Sequence, residues 1–429
     1  MRRRYEELVT AHLQAAQALA SGIHAVPRVG TSFAATIAAH RFLNNKRVAL
    51  ATLAEPLIDA GRHEAATSCD RFVLVVHDWS HLMYPAHTSK HDRMVLSSNR
   101  VPEGYKLQVA LLVSDRDGLP LAPAVLSLRA ADGVHCSRCR KVRRPLSPLD
   151  ELEPTMKYVE QQRLGRELVH IIDAEADSVG HFRQWSQRPG CYYLVRADDR
   201  LVEHAGQEKR CSAWHEELRH QGRLKRVREV SFHGKPAVQY LAEVNVKLTR
   251  PAQRNRPDTG DRQRIPGPPL DLRLIIAEVR SPEGEVLAVW YLLTNLPAMV
   301  DAATVALWYY WRWSIETYFK LLKSAGMQLE MWQQKSAAAL ARRLLVASMA
   351  CVTVWRLARN AHPAAERARR LLVRLSGRQM KHRRTFTLPA LLAGMWTMLA
   401  MLETLETYSL EELQMLAHIA LPQFRTRPP

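Results

Sequence analysis

Two short apolar runs limit the fold of this chain more than any other feature of its sequence. Residues 72–76 read Phe-Val-Leu-Val-Val, and residues 168–172 read Leu-Val-His-Ile-Ile. Continuous runs of this length, rich in β-branched residues, are typical of strands that are buried on both faces of a sheet. Burial on both faces requires helices on both sides of the sheet, so the sequence predicts an α/β fold.

Each of these runs leads into an aspartate. Residues 72–76 are followed by His77 and Asp78, and residues 168–172 are followed directly by Asp173. The ends of buried strands are where an α/β sheet presents functional side chains, so both aspartates are candidate site residues. Taken alone, such an aspartate more often ends a strand or caps a helix, and the pattern leaves that alternative open.

A third acidic group lies in a segment that we predict to be one helix, residues 308–328. It has neither Gly nor Pro before Gly326, and its aromatic, Leu and Lys residues suit a helix. At about 100° per residue, five polar residues fall within a sector of roughly 80°. They are Tyr309, Arg312, Glu316, Lys320 and Lys323. One carboxylate among cations suits a metal ligand beside a polyphosphate, whereas a solvated stripe with i,i+4 pairs is the alternative.

The pattern Tyr-x2-Arg-x3-Glu-x6-Lys, filled by Tyr309, Arg312, Glu316 and Lys323, resembles the signature of the insertion-sequence-four family of bacterial transposases. Residues 173–177, Asp-Ala-Glu-Ala-Asp, resemble the second-aspartate motif of that family. The family consists of cut-and-paste DDE enzymes. The resemblance implies a ribonuclease-H-like mixed sheet with helices, interrupted by a β-rich insertion and flanked by helical N- and C-terminal regions.

The resemblance also implies an active site. Asp78, Asp173 and Glu316 would be the catalytic residues and would hold two Mg²⁺ ions, for which Mn²⁺ would substitute. Hard oxygen ligands suit Mg²⁺, and a metal pair can activate the nucleophile and stabilise the leaving oxyanion of a phosphodiester. Trp79 departs from the pattern, because relatives more often carry a small hydroxyl residue there.

The same resemblance assigns DNA contacts. Trp290 stands where relatives place a tryptophan that stacks on a flipped base, although a core aromatic on a strand is the alternative. Arg41 belongs to residues 38–45, which are similar to the N-terminal DNA-binding domain of the family. The implied DNA-binding residues are Tyr309, Arg312, Lys320, Lys323, Trp290, Arg196 and Arg41.

Five segments follow from these patterns. Between about residues 200 and 280 the helical period gives way to alternating strands, with a Pro-, Gly- and Arg-rich loop at residues 251–269. We predict a helical DNA-binding domain at 1–68, the ribonuclease-H-like core at 69–199 and 285–335, a β-rich insertion at 200–284, and a helical C-terminal region for dimerisation and synapsis at 336–429. On residues alone, an N-terminal helical packing domain is equally consistent.

The charge of the chain indicates a polyanionic partner. Lys and Arg total 61 against 42 Asp and Glu, a formal net charge of +19. Distributed basic clusters suit a long duplex better than a single basic tail would. The clusters lie at residues 2–4, 138–144, 250–264 and 381–384. The absence of an uninterrupted run of eighteen apolar residues, and of a signal-peptide pattern, predicts a cytoplasmic, nucleoid-associated protein without a membrane partner.

The six cysteines do not suggest a disulfide framework in a chain of this size. Cys136 and Cys139, with His135 beside them, make half of a possible zinc site. The sequence supplies no matching second pair, so we predict a basic loop without structural zinc.

The leading hypothesis is a cut-and-paste transposase that binds terminal inverted repeats and target DNA as a homodimer. Two alternatives are a catalytically inactive, transposase-derived DNA-binding protein and a nuclease without strand transfer. The presence of all three acids argues against the first, and the long helical C-terminal region argues against the second.

Overall fold

The structure of the chain is a computed structural model that describes residues 5–6, 8–9, 32–96, 101–145, 147–255, 262–323, 326–380 and 384–420. The basic cluster at residues 2–4, most of the predicted N-terminal helical segment before residue 31, and part of the cluster at residues 381–384 lie outside these ranges.

The chain forms two compact units. The central unit consists of Ala54–His81 and Lys106–Thr317. The second, here called the terminal unit, combines Met1–Leu53, Leu82–Tyr105 and Tyr318–Pro429.

The described residues give bounds for fifteen strands and eleven α-helices, and residues 5–6 and 8–9 are also helical. The strands are β1 (Phe72–Met83), β2 (Met94–Val95), β3 (Pro102–Ser114), β4 (Pro120–Ala130), β5 (Gly133–Cys136), β6 (Glu167–Ile172), β7 (Tyr192–Ala197), β8 (Leu201–His204), β9 (Gln207–Arg210), β10 (Lys225–Phe232), β11 (Lys235–Leu248), β12 (Ala252–Asn255), β13 (Arg262–Ile265), β14 (Leu270–Arg280) and β15 (Val286–Thr294). The helices are α1 (Ser32–Asn44), α2 (Leu50–Ser68), α3 (Leu152–Glu160), α4 (Val179–Ser186), α5 (Cys211–His220), α6 (Ala302–Trp311), α7 (Ser314–Leu322), α8 (Ala337–Arg359), α9 (Pro363–Leu375), α10 (Leu388–Thr407) and α11 (Leu410–Ala420).

A large mixed sheet dominates the central unit, in the strand order β5-β4-β3-β1-β6-β7-β15-β14-β11-β8-β9, with β10 on β11. At its centre β1, β6 and β7 run parallel, and β15 joins β7 in the antiparallel direction. Both predicted buried strands are therefore central parallel strands. This mixed α/β architecture confirms the predicted ribonuclease-H-like fold class.

Apolar side chains form two cores in the central unit. One lies where α2 and α3 meet β1, β3 and β4, and it includes Val73, Val75 and Leu112. The other lies where α4 and α5 meet β7, β11 and β14, and it includes Trp185 and Trp214. Because apolar burial is the main stabilising contribution, these two cores fix the strands that carry the candidate acids.

The first strand is longer than its sequence predicts. We expected the strand to end at Asp78, but β1 continues to Met83, so Asp78 lies inside it. Only the parallel pairing with β6 stops at this point, at the pair His77 and Ile172. The continuous burial of β1 also ends at His77, and only Leu82 is buried beyond it. This explains why the apolar run stops at Val76, seven residues before the strand does.

The predicted loss of helical period between residues 200 and 280 is wrong at α5. Cys211, Trp214 and Leu218 repeat at helical spacing and bury one face of this helix. The rest of the segment is β-rich as predicted, and β11, β14 and β15 extend the core sheet. The predicted loop at residues 251–269 also contains a small separate ribbon of β12 and β13.

Helix α8 is the core of the terminal unit. Ser336 caps its N-terminus by accepting a hydrogen bond from the Ala339 amide, and the Arg342 guanidinium joins it to the α1 region by donating to the carbonyls of Leu43 and Val48. By length and composition α8 and α10 could each cross a membrane, with 83% and 33% of their apolar windows buried. Mostly buried core helices such as α8 pass the same test, so this is weak evidence for a membrane span.

Candidate active site

The sheet brings two of the predicted acids to neighbouring strands. Asp78 lies in β1 just beyond the last residue paired with β6, and Asp173 follows the last residue of β6. The Asp78 and Asp173 side chains are 17% and 22% exposed. Each anchors one carboxylate oxygen on a backbone amide, Asp78 on Trp79 at 2.7 Å and Asp173 on Ala174 at 2.7 Å.

Arg312 joins these two carboxylates. One of its terminal nitrogens donates to Asp78 Oδ2 at 2.8 Å, and the other lies 3.1 Å from Asp173 Oδ2. The guanidinium side chain is only 6% exposed. Its planar fork suits two carboxylates at once, and a buried cation between partly buried anions compensates charges that would otherwise be costly.

The segment that carries Arg312 is not the single helix that we predicted. Helix α6 ends at Trp311 and α7 starts at Ser314. Between them, the Ile315 and Glu316 amides donate to the carbonyls three residues earlier, those of Arg312 and Trp313, at 3.1 Å each. This tighter winding rotates the chain further per residue than an α-helix does. The expected uninterrupted stripe therefore breaks at Arg312.

Contacts from the β3–β4 turn hold this junction. The Ser314 hydroxyl donates to the Gly118 carbonyl at 2.7 Å. Gly118 has φ +69°, and a Cβ added there would lie 2.5 Å from the Trp311 ring. Only glycine combines this backbone conformation with so close an aromatic neighbour.

Glu316 acts electrostatically on the same pair. Burial raises the pKa of Asp78 to about 6, Arg312 and the Trp79 amide oppose that rise, and the charges of Glu316 and Asp173 add to it. Burial lowers the pKa of Arg312, but Tyr309 and the carboxylates Asp173, Asp78 and Glu316 outweigh it and raise that pKa above its usual value. The structure therefore brings all three predicted acids to the surroundings of Arg312.

Two further predicted residues contact Asp173. Arg196, in β7, lies with Nε 2.8 Å from Asp173 Oδ1, and the Tyr309 hydroxyl donates to the same oxygen at 3.3 Å. Burial, followed by the charge of Asp173, raises the pKa of Tyr309 and keeps its hydroxyl protonated at neutral pH. The Trp290 ring lies beside that of Tyr309, with centroids 6.2 Å apart.

The remaining predicted DNA-binding residues belong to the terminal unit. Arg41 is exposed in the last turn of α1, and Lys320 is exposed in the last turn of α7. Lys323 Nζ lies 3.5 Å from Glu330 Oε1. Their DNA-binding roles stay predictions.

The donor set of this site fits a divalent cation. Carboxylate oxygens are the ligands that Mg²⁺ and Mn²⁺ favour. Burial is the main reason why the pKa of Asp78 is raised, and a bound cation would stabilise the ionised form of this carboxyl. Asp78, Asp173 and Glu316 are the residues that would hold the metal.

One cluster behind the sheet was missed from the sequence. The ligand atoms of Glu160, His170 and Cys191 lie within 4.8 Å of one another, and His170 Nδ1 is 2.9 Å from Nε2 of His77. Arg188 already supplies a cation there, 2.9 Å from Glu160 and 3.0 Å from the Cys191 sulfur. The available sequence signal was a histidine directly after the first apolar run, His77, and one inside the second, His170.

Fold and site together define a ribonuclease-H-like protein with an acidic site on neighbouring central strands. Residues 149–353, just under half of the chain, match the family model described as Transposase DDE domain. The match supports a DDE transposase, and this class uses divalent metal ions. The matched range includes Asp173 and Glu316 and begins after Asp78. No curated protein matches the chain.

Proposed function

We propose that this protein is a cut-and-paste DNA transposase of the insertion-sequence-four family. The observation that carries the proposal is the position of Arg312, bonded to Asp78 and Asp173 while Glu316 acts on the same pair. The domain match and the Tyr-x2-Arg-x3-Glu-x6-Lys pattern support it. The substrates are the terminal inverted repeats of the transposon and a target duplex.

Asp78, Asp173 and Glu316 are the metal carboxylates in this proposal. Two Mg²⁺ ions, when bound, supply a lowered pKa for the attacking water and charge stabilisation for the leaving oxygen. The carboxylates must be ionised to bind a hard cation, and Asp78, with a pKa of about 6, is ionised at neutral pH. Mn²⁺ offers the same preference for oxygen and substitutes for Mg²⁺.

Neighbouring side chains position the DNA. Arg312 and Tyr309 remain a cation and a hydrogen-bond donor at neutral pH, so both suit phosphate oxygens once they exchange their carboxylate partners. The guanidinium of Arg196 can likewise donate hydrogen bonds to phosphate oxygens. Trp290, half-buried beside Tyr309, offers a ring face on which a flipped base can stack. Lys320, Lys323 and Arg41 add cationic contacts to the DNA backbone.

The C-terminal helices support a homodimer. The end of α10 and all of α11 expose large apolar side chains, a pattern that marks an interaction surface. Those that are exposed are Met401, Leu402, Leu405, Tyr408, Leu410, Met415, Leu416 and Ile419. A second copy of this helical region would cover them in the synaptic complex. We place the protein in the cytoplasm, on the nucleoid, because its basic charge suits DNA and not a membrane span.

A plasmid assay tests the proposal. The substrate is a supercoiled plasmid that carries the coding frame with its native flanking DNA, incubated with purified protein, Mg²⁺ and a second, target plasmid. Excision of the segment and its insertion into the target are the expected products. Glu316→Gln should yield neither, whereas Glu229→Gln, a matched change at a side chain that is 83% exposed, should yield both.

Two other outcomes would overturn the proposal. DNA binding without any nicking would mean that the chain is a transposase-derived binding protein. Nicking without insertion into the target would mean that it is a nuclease without strand transfer.

A further inference from the structure

A second polar site lies in the central unit, at the start of α4. It is a cavity of about 500 Å³ whose polar lining is dominated by three arginines, Arg200, Arg210 and Arg250. The carboxylates of the candidate active site do not line it. Two of its residues are close in sequence to residues of the candidate active site: Arg200 comes four residues after Arg196, and Asp177 comes four residues after Asp173.

One arginine is fixed in the wall of this arginine cavity. Arg200 forms an ion pair with Asp177, whose side chain is only 4% exposed. Asp177 also accepts a hydrogen bond from the Asp198 amide at 2.9 Å. Because Asp177 has these partners, the Arg200 guanidinium is held at the cavity instead of moving in solvent.

The other two arginines are more exposed than Arg200, and we call them the rim of the cavity. Their side chains are 61% exposed for Arg210 and 58% for Arg250. Arg210 lies 3.8 Å from the Asp199 carboxylate, and Arg250 lies 3.3 Å from that of Glu208. Exposed pairs of this kind are weak, and a guanidinium has five N–H donors, so both arginines can bind an additional anion.

The start of α4 adds to the same wall. Ser178 and Val179 line the cavity, and Ser178 makes no side-chain cap to the helix. The first amides of a helix have no hydrogen-bond acceptor within the helix. These amides and the nearby arginines therefore both favour a bound anion.

We propose that the arginine cavity binds a phosphate of the DNA backbone, as a second phosphate site beside the acidic active site. The inference rests on the proposed function, since it takes DNA as the substrate. A guanidinium can donate two parallel hydrogen bonds to the oxygens of one phosphate. Three guanidinium groups around one cavity therefore suit a phosphodiester better than a carboxylate.

The protein segment that follows Arg250 indicates a polynucleotide ligand instead of a small nucleotide. Arg250 leads into the β12–β13 ribbon, and Gln253 belongs to both the cavity and the ribbon, where it pairs with Arg264. By sequence, residues 250–264 contain five arginines and two aspartates. A basic segment that continues from the cavity can follow a phosphate backbone beyond a single phosphate.

The test removes the two rim charges together. The variant is Arg210→Ala/Arg250→Ala. The matched control is Arg116→Ala/Arg226→Ala, which removes two exposed, ion-paired arginines of the same unit, 52% and 59% exposed. Each protein is titrated with a duplex of arbitrary sequence over a KCl series without divalent metal, after circular dichroism and thermal unfolding have confirmed its fold.

We expect the cavity variant to bind about tenfold more weakly than the control, with a salt slope lower by about 0.9, since the cavity contacts one phosphate and each phosphate contact contributes about 0.9. Arg210→Lys/Arg250→Lys should restore the slope, because the charges return. Equal affinity and slope in the cavity variant and its control would overturn the inference and leave the proposed function intact. A wild-type protein that binds no duplex would overturn both.

A second arm separates the DNA backbone from a free nucleotide. ATP binding to the wild type and to both variants is measured by equilibrium dialysis. If ATP binds the wild type and is lost in the cavity variant while duplex binding equals that of the control, the site belongs to a free nucleotide and the inference is wrong.

Discussion

The guanidinium of Arg312 donates to the carboxylate of Asp78 at 2.8 Å, across 234 residues of sequence. The contact joins the α6–α7 junction to the central strand β1. In the proposed enzyme the same carboxylate must serve a metal ion. Arg312 compensates the charge of the acids in the metal-free protein. In the proposed enzyme it would become available to a DNA phosphate once a bound cation supplied that charge instead.

If a metal ion can replace the charge of Arg312, Arg312→Ala should destabilise the protein more without metal than with it. Without the guanidinium, the two partly buried carboxylates lose their compensating positive charge. We expect this to destabilise the metal-free protein by about 3 kcal/mol at pH 7. Added Mg²⁺ should recover part of that loss, because it replaces the missing charge. Urea unfolding with and without Mg²⁺ measures both effects. Arg226→Ala, an exposed arginine on β10, is the control and should change little. Equal midpoints for the Arg312 variant and wild type would contradict the exchange.

A second prediction concerns pH. Folding raises the pKa of Asp78 from 3.8 to about 6, so the folded state holds this proton more tightly than the unfolded state. The stabilising contribution of Asp78 to the free energy of unfolding is therefore full below pH 3.8, and it is lost as the pH rises to about 6. Asp78→Asn cannot titrate. Relative to this variant, the metal-free wild type should lose on the order of 2 kcal/mol between pH 4 and pH 6.5. Parallel stability curves for the two proteins would show that Asp78 has an ordinary pKa.

The sequence predicts the centre of this fold better than its site. Two continuous apolar runs were enough to identify β1 and β6, because burial on both faces leaves a local pattern. They also located Asp173 at the end of its strand. The break between α6 and α7 leaves no such pattern, since it depends on Ser314 and Trp311 meeting Gly118, almost two hundred residues away.

The ion pairs of the site are equally hidden from the sequence. The Tyr-x2-Arg-x3-Glu-x6-Lys pattern indicated phosphate contacts for Arg312, whereas its contacts to Asp78 and Asp173 follow from tertiary packing. Helix α5 differs, because the spacing of Cys211, Trp214 and Leu218 was visible and was outweighed by the strand-like sequence on both sides.

A third prediction is that Cys136 and Cys139 hold no structural zinc. The sulfur of Cys136 is buried and accepts a hydrogen bond from the Ser127 hydroxyl at 3.0 Å, and His135 lies 3.0 Å from Asp132. We expect metal analysis of the purified protein to find no stoichiometric zinc. Stoichiometric zinc that disappears in Cys136→Ser/Cys139→Ser would overturn this prediction.

A fourth prediction assigns the basic residues of the signature to DNA binding. Arg312→Ala and Lys323→Ala should each weaken binding of a cleaved transposon end and reduce the salt slope by about one, because each removes one phosphate contact. Gel-shift titrations over a KCl series measure this. The Arg226→Ala control removes the same charge from an exposed pair on β10 and should leave the slope unchanged. A slope equal to that of wild type for both signature variants would place these residues outside the DNA interface.

The last prediction separates binding from chemistry at Glu316. An amide is a much weaker ligand for a hard cation than a carboxylate, so Glu316→Gln should abolish Mg²⁺-dependent nicking. Loss of one negative charge near DNA should leave end binding unchanged or slightly tighter. Because Glu316 contributes to the raised pKa of Asp78, the variant should also lower the pKa of Asp78, which the pH dependence of stability would detect. Glu229→Gln, at an exposed position in β10, controls for the substitution itself. If Glu316→Gln nicks plasmid DNA at nearly the wild-type rate, Glu316 belongs to a solvated helix stripe and is not a metal ligand.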